Sequence, residues 1–239
     1  NLTVVKGLQS EIFVPVTPPP VWAPVTKPLN EMVIALATAA GVHRKEDKRF
    51  NLAGDFTWRE IYDSTPSSDL MVSHGGYDNS DVNKDINCMF PIDRLHELAK
   101  EGFIKGVAPV HIGFMGGGGN IEKFTHETGP AIAKRLKDEG VDAVLMTLAE
   151  APATALQFFA ESIESVGIPT IIIAALPPVV KQTGTPRAVA PLVPMGANAG
   201  APHNVEQQTA IVKATLEQLE EITTPGTVVP LPFEYQAKV

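Results

Sequence analysis

The chain has 239 residues, 44% of them hydrophobic and 19% charged, which suits one large α/β domain or two small ones with a sizeable core. A formal net charge of −8 argues against general affinity for nucleic acid or anionic membrane, because no basic surplus exists to neutralise phosphates. No apolar run approaches a membrane span, no charged-then-apolar segment opens the sequence, and Cys88 is the only cysteine; an internal disulfide is excluded and a cytoplasmic setting is expected.

In chain order, "FVPVTPPPVWAPVTKPL" (13–29) suits neither a helix nor a central strand, since proline removes donors and fixes φ. It predicts an extended Pro-rich arm over residues 1–30, laid across its own domain or a neighbouring subunit and anchored by Trp22. Continuous apolar runs follow at 32–43, 69–74, 106–115, 141–147 and 169–176, each the pattern of a strand buried on both faces of a parallel sheet. Between them lie helical patterns. Phe124, Thr128, Ile132 and Leu136 share one face, as do Leu156, Phe159, Ile163 and Val166, and Val212, Leu216, Leu219 and Ile222 mark a last helix capped by Asn204 with Gln207 reaching back. Strands alternating with such helices predict a single α/β domain over 31–239, a mostly parallel sheet with helices on both faces, flavodoxin- or Rossmann-like. Functional groups then belong in the loops at the carboxyl ends of strands.

Four such loops carry polar groups. The loop at 41–59 holds His43, Arg44, Lys45, Lys48 and Arg49 and reads either as an anion-binding lid or as a solvated charged loop. The loop at 73–95 gathers His74, Tyr77, Asp78, Asp81, Asp85, Asn87 and Asp93 around a Gly-Gly turn. Three readings are open there: an acid/base or hydrogen-bonding site for a small polar substrate, a divalent-metal site whose spacing does not match an EF-hand, or carboxylates that hold turns and cap helices. A lone cysteine there, Cys88, is more often a small core residue than a nucleophile. "GGGGN" (Gly116, Gly117, Gly118, Gly119, Asn120) permits a nest of N–H groups for a carboxylate or oxyanion, but it is neither a Walker A loop nor a GxGxxG fingerprint. The Pro/Gly-rich segment 177–204 reads as a long crossing between the last strand and the last helix, with Arg187, Asn198 and His203 as its polar candidates.

"SHGGYDNSDVNKDINCMFPIDRL", "GFMGGGGN", "GIPTIIIAALPPVV" and "PLVPMGANAG", with the "TPPPVW" arm, occur in order and together resemble the B-component family of glycine/sarcosine/betaine/D-proline reductases over nearly the whole chain. That resemblance implies amino-acid fermentation beside a pyruvoyl-containing partner, with a selenocysteine-x-x-cysteine pair that reductively cleaves a C–N bond. It also implies that the pair sits in the turn after the strand at 141–147. In this sequence that turn reads "LAEAPAT", with Glu150 near the selenocysteine position and Pro152 or Ala153 near that of the cysteine. Neither a carboxylate nor a methyl group forms a disulfide or selenenyl intermediate, and Cys88 lies in another loop.

The expectation is therefore a selenium-free family member acting non-reductively, by C–N hydrolysis, elimination or isomerisation, on a small amino-acid-like or heterocyclic substrate. Glu150 would be the base, at a helix start whose dipole favours a carboxylate, and His74 or His43 the acid or substrate clamp. Tyr77, Asp78, Asp85, Asn87, Gly116–Gly119, Asn120 and Asn198 would bind substrate. No cofactor is expected; a divalent metal held by Glu150 and a histidine is a minor variant. Two alternatives stand beside this: a non-catalytic or regulatory subunit in a hetero-complex with a pyruvoyl-type chain, and a reductase that uses Cys88. A homo-oligomer is expected for the enzyme.

Overall fold

The computed structural model describes residues 21–115, 121–147, 153–183 and 185–237. The first twenty residues of the arm, the glycine segment 116–120 and the turn 148–152 with Glu150 lie outside the described residues.

The described strands are β1 (Val33–Thr38), β2 (Val42–Arg44), β3 (Trp58–Tyr62), β4 (Leu70–Val72), β5 (Gly106–Val107), β6 (Val110–Phe114), β7 (Ala143–Thr147), β8 (Thr170–Ile173), β9 (Arg187–Leu192) and β10 (Thr227–Glu234). The helices are α1 (Ser80–Lys84), α2 (Ile92–Lys100), α3 (Ile121–Lys123), α4 (Gly129–Asp138), α5 (Ala153–Ser165), α6 (Pro177–Thr183) and α7 (Val205–Glu221), with a π-helical turn, Phe124–Thr128, joining α3 to α4. The main sheet runs β10-β9-β8-β7-β1-β6-β3, with β5 also on β1. All its pairs are parallel except β3 with β6.

The apolar runs explain this arrangement. In β1, Ile34 and Leu36 enter one core and Ala35 and Ala37 the other, so both faces of the central strand are covered. The Ile34 face packs under α2 and α7 through Leu95, Leu98, Val212 and Leu216. The Ala35 face packs under α4 and α5 through Ile132, Leu136, Phe159 and Ile163. Helices thus cover both faces of a mostly parallel sheet, as expected.

Several local expectations are corrected. The run 32–43 is two strands, because Gly41 at φ +72° turns the chain; a Cβ there would collide with the Ser73 carbonyl. The run 69–74 is no parallel strand: β4 pairs antiparallel with β2, outside the main sheet. The run 106–115 is broken at Ala108 and Pro109 into β5 and β6, and His111 Nδ1 accepts the Leu36 N–H of the adjoining β1 at 2.9 Å. The crossing 177–204 contains α6 and β9, and β10 follows the last helix. Asn204 does cap α7 by accepting the Gln207 N–H at 3.2 Å, but the Gln207 side chain accepts the Ala201 N–H and donates to the Glu234 carbonyl.

The described part of the arm lies on its own domain. Glu164 at the end of α5 and Arg187 at the start of β9 form a buried ion pair at 3.0 Å. Ala23 closes it, donating its N–H to Glu164 and accepting from Arg187 Nη2 at 2.7 Å, while the Trp22 ring stacks 3.5 Å from the guanidinium carbon. Trp22 is thereby the anchor that the sequence suggested.

Candidate functional site

The strand order reverses at β1: β6 lies on one side of it, and the chain then crosses through α3 and α4 to place β7 on the other. In open α/β sheets, ligands bind in the crevice outside the carboxyl ends of strands at such a switch point. Here those ends are Thr38, Phe114 and Thr147.

Thr38 and Thr147 are opposite one another in the β1–β7 register, both 1% exposed. The Thr147 hydroxyl lies 2.7 Å from the Thr38 hydroxyl and 2.5 Å from the Met89 carbonyl, and the Ala40 N–H donates to Thr38 Oγ1 at 3.1 Å. Met89 Sδ in turn accepts the Asn198 N–H at 3.5 Å, and Asn198 Nδ2 donates to the Ile173 carbonyl at the end of β8. Two loops, around Met89 and Asn198, are thus fastened to the carboxyl ends of β1, β7 and β8. The sequence reading missed Thr38, Thr147 and Met89. The two threonines were visible as the last residues of the apolar strands "MVIALAT" and "VDAVLMT"; nothing in the sequence pointed to Met89.

The histidines stand beside this rim. His74 Nδ1 accepts the Gly76 N–H at 2.9 Å, so Nε2 carries the proton and donates to the Met115 carbonyl at 3.1 Å, just past β6. Burial holds its pKa below the usual histidine value. His43 Nδ1 meets the Arg44 carbonyl at 2.7 Å and must be the protonated nitrogen, which leaves Nε2 to accept from the Ser73 hydroxyl at 2.9 Å. Burial depresses this pKa as well. Both rings are neutral and fully engaged, so in this conformation they order loops and offer no free nitrogen for proton transfer.

The other candidates divide in the same way. Tyr77 donates to the Ala40 carbonyl at 3.0 Å and stacks obliquely on His74 with centroids 4.9 Å apart. Burial pushes its phenol up, and it stays protonated. Asp78 accepts the Ser80 N–H at the start of α1. Asp85 accepts the N–H and side chain of Asn87 on one oxygen and the His203 N–H and Gln208 side chain on the other. Burial opposes its ionisation, but these bonds outweigh it and hold the carboxyl below its usual range. Asn87 also binds Asp93 through its side-chain donor and acceptor. Asp85, Asn87 and Asp93 line a surface depression of about 370 Å³ with Ser67, Ser68 and His203. In this geometry the carboxylates cap and cross-link. Among the described residues, no three His, Cys, Asp or Glu side chains assemble as a metal site, and no helix is long and apolar enough to cross a membrane.

Cys88 has no accessible surface, and its Sγ–H points to the Asp81 carbonyl at 3.8 Å. Burial first, then the charges of Asp85 and Asp81, push its thiol well above the usual range. It is a thiol at neutral pH, which opposes a nucleophilic role.

The molecule is thus a mostly parallel α/β scaffold whose switch-point rim, among the described residues, carries neutral hydroxyls, imidazoles and amides. The chain belongs to the glycine/sarcosine/betaine reductase selenoprotein B family, whose model matches residues 6–149. It is 67% identical to the gamma subunit of D-proline reductase from Acetoanaerobium sticklandii over 240 aligned residues, covering 100% of this chain and 99% of that one. It is 32% identical to the gamma subunit of glycine reductase complex component B from Carboxydothermus hydrogenoformans, over 70% of this chain and 39% of that one. It is 27% identical to the beta subunit of sarcosine reductase complex component B from Peptoclostridium acidaminophilum, over 93% of this chain and 52% of that one. The chain therefore spans about half or less of the glycine and sarcosine relatives and nearly all of the D-proline one. No solved structure matches it.

Proposed function

We propose that the chain works as a subunit of a reductase complex acting on D-proline or a close amino-acid analogue. The 67% identity along its whole length to a D-proline reductase subunit carries this reading. The relatives above are all named as reductase subunits, which favours the hetero-complex alternative over the non-reductive chemistry expected from the 148–152 turn. The rim supports a binding and positioning role: its hydroxyls, imidazoles and amides are neutral and already hydrogen-bonded. Reducing equivalents enter through a group other than Cys88, whose buried thiol is neither exposed nor ionised. A pyruvoyl-type chain is the partner that such a subunit would serve.

The test is reconstitution. The complex is assembled with and without this chain and assayed for D-proline-dependent oxidation of dithiothreitol. Turnover that requires the chain supports the reading. Equal turnover without it, or conversion of D-proline by the isolated chain with no reductant, overturns it.

A further inference from the structure

The hydroxyl pair at the ends of β1 and β7 has a direction that can be worked out by counting protons. A threonine hydroxyl has one proton and a carbonyl has none, so Thr147 must donate to the Met89 carbonyl. Its bond with Thr38 then runs the other way: Thr38 donates to Thr147 Oγ1. Thr38 Oγ1 in turn accepts the Ala40 N–H. The result is a one-way relay of hydrogen bonds from the backbone beyond β1, through both strand ends, to the loop at Met89. Both threonine side chains are at most 1% exposed, so the relay is closed off from bulk solvent.

The relay is not needed to hold the sheet together. Five registered pairs, Ile34↔Ala143 to Thr38↔Thr147, already hold β7 against β1 through the backbone. What the hydroxyls add is the fastening of the Met89 loop, and through Met89 Sδ the Asn198 segment, to the last residue of β7. That residue is where the chain leaves the sheet at the switch point.

We infer that Thr147, supported by Thr38, is a positioning residue for the reaction at the carboxyl edge of the sheet. Its hydroxyl sets where the Met89 and Asn198 loops stand relative to the end of β7. The kinetic side of this inference rests on the reductase reading; the structural side does not. Thr147→Val keeps the shape but removes the donor to Met89 and the acceptor for Thr38, leaving two buried groups unpaired. Thr147→Ser keeps both bonds. A displacement of about 1 Å near reacting groups costs up to about 100-fold in rate.

Two measurements on the reconstituted complex decide it. In D-proline-dependent dithiothreitol oxidation, Thr147→Val is expected to lower kcat at least about tenfold with KM within about twofold, and Thr147→Ser to restore kcat to within about threefold of wild type. By hydrogen exchange, Thr147→Val is expected to speed exchange about tenfold in residues 86–92 and 196–200, with β8 and β9 unchanged and Thr147→Ser like wild type. Wild-type-like kcat in Thr147→Val, or serine and valine variants equally impaired, overturns the inference. If the wild-type complex itself does not turn over D-proline, the reductase reading falls and the exchange pattern alone decides for or against Thr147. If Thr147→Val does not accumulate as folded protein, Thr38→Val, which removes the donor to Thr147 and the acceptor of the Ala40 N–H but leaves the Thr147–Met89 bond, is measured instead, with the same loops expected to respond more weakly and an unchanged exchange pattern overturning the inference.

Discussion

The two edges of the parallel sheet are built on opposite electrostatic plans. At the amino edge, charges are paired, Arg187 with Glu164, fully buried under the arm, and Asp142 with Lys27 and the Val33 N–H, and the Asp63 carboxylate is hydrogen-bonded to His96 and His111. At the carboxyl edge the described residues in equivalent places are Thr38, Thr147, Asn198, Tyr77 and two neutral imidazoles. Burying charge is costly unless it is paired and fully hydrogen-bonded, and once paired it resists rearrangement. The amino edge uses that rigidity to lock the arm onto α5, β8 and β9. Among the described residues, the strand ends of the carboxyl edge make do with dipoles, through the Thr38, Thr147 and Asn198 side chains. Each plan can be broken from its own side.

The largest effect is expected at the amino edge. Glu164→Ala leaves Arg187 charged in the interior and removes the acceptor of the Ala23 N–H and of both Thr170 donors. Removing one partner of a buried pair costs roughly 3–5 kcal/mol, a large share of a total stability of about 5–15 kcal/mol. Urea unfolding followed by Trp22 and Trp58 fluorescence measures it. A loss under about 1 kcal/mol, small beside what breaking a buried pair costs, would mean that the pair and the arm do not carry the amino edge.

Next comes Asn87→Ala, between the two plans. Asn87 fixes Asp85 and Asp93, and through Asp85 the start of α7. Loss of these side-chain bonds, with two carboxylates left short of donors, is expected to cost about 1–3 kcal/mol. Near-equality with wild type in urea would return Asp85 and Asn87 to the substrate-binding role expected from the sequence.

Acid separates the two edges directly. His43, His74 and His111 all have pKa values lowered by burial from an ordinary value of 6.5. The unfolded chain therefore binds protons at a pH where the folded chain does not, and stability falls as pH drops below about 6.5. Asp63 and Asp85 have the opposite sign of charge and lowered pKa values; their contribution is held until pH falls below the ordinary 3.8 and is lost through the folded values. At the amino edge His111 has Asp63 at 3.4 Å to receive its charge, whereas His43 and His74 have only a hydroxyl and backbone groups as hydrogen-bond partners. From neutral pH to a pH well below the ordinary histidine value, the urea midpoint is expected to fall, and amide exchange in residues 70–77 to rise before Trp22 fluorescence changes. A flat midpoint, or Trp22 moving first, contradicts the two-plan account.

The sequence carried the central strands and the two-faced burial, because long apolar runs in a parallel sheet leave few other readings. It lost the strands β3, β9 and β10, merged β2 into β1, and placed β4 in the wrong sheet. Apolarity does not show where a run kinks, as at Gly41, and Pro186, Pro191 and the neighbouring glycines obscured β9 within a segment read as a loop. At the site, polar residue types were legible but their partners were not. Asp85 has the same side chain whether it meets substrate or Gln208, and only the fold brings α7 against it. The two strand-end threonines were visible in the sequence, but threonine is common in strands and carries no functional mark of its own.

The smallest effect is expected at Cys88, which is the sharpest test of the carboxyl edge. The side chain is small and packed within the core beneath the Met89 loop, so Cys88→Ala is expected to cost only about 1 kcal/mol. Its thiol should react with Ellman's reagent only as fast as the protein opens, and D-proline turnover by the complex should stay within about twofold of wild type. A loss of turnover greater than about tenfold at unchanged melting temperature would mean that this thiol becomes exposed and ionised in the working complex. That would require Asp81 and Asp85, whose charges now oppose its ionisation, to move away or be neutralised. The carboxyl edge would then hold a switchable anion, and the contrast between the two edges would describe only the resting state.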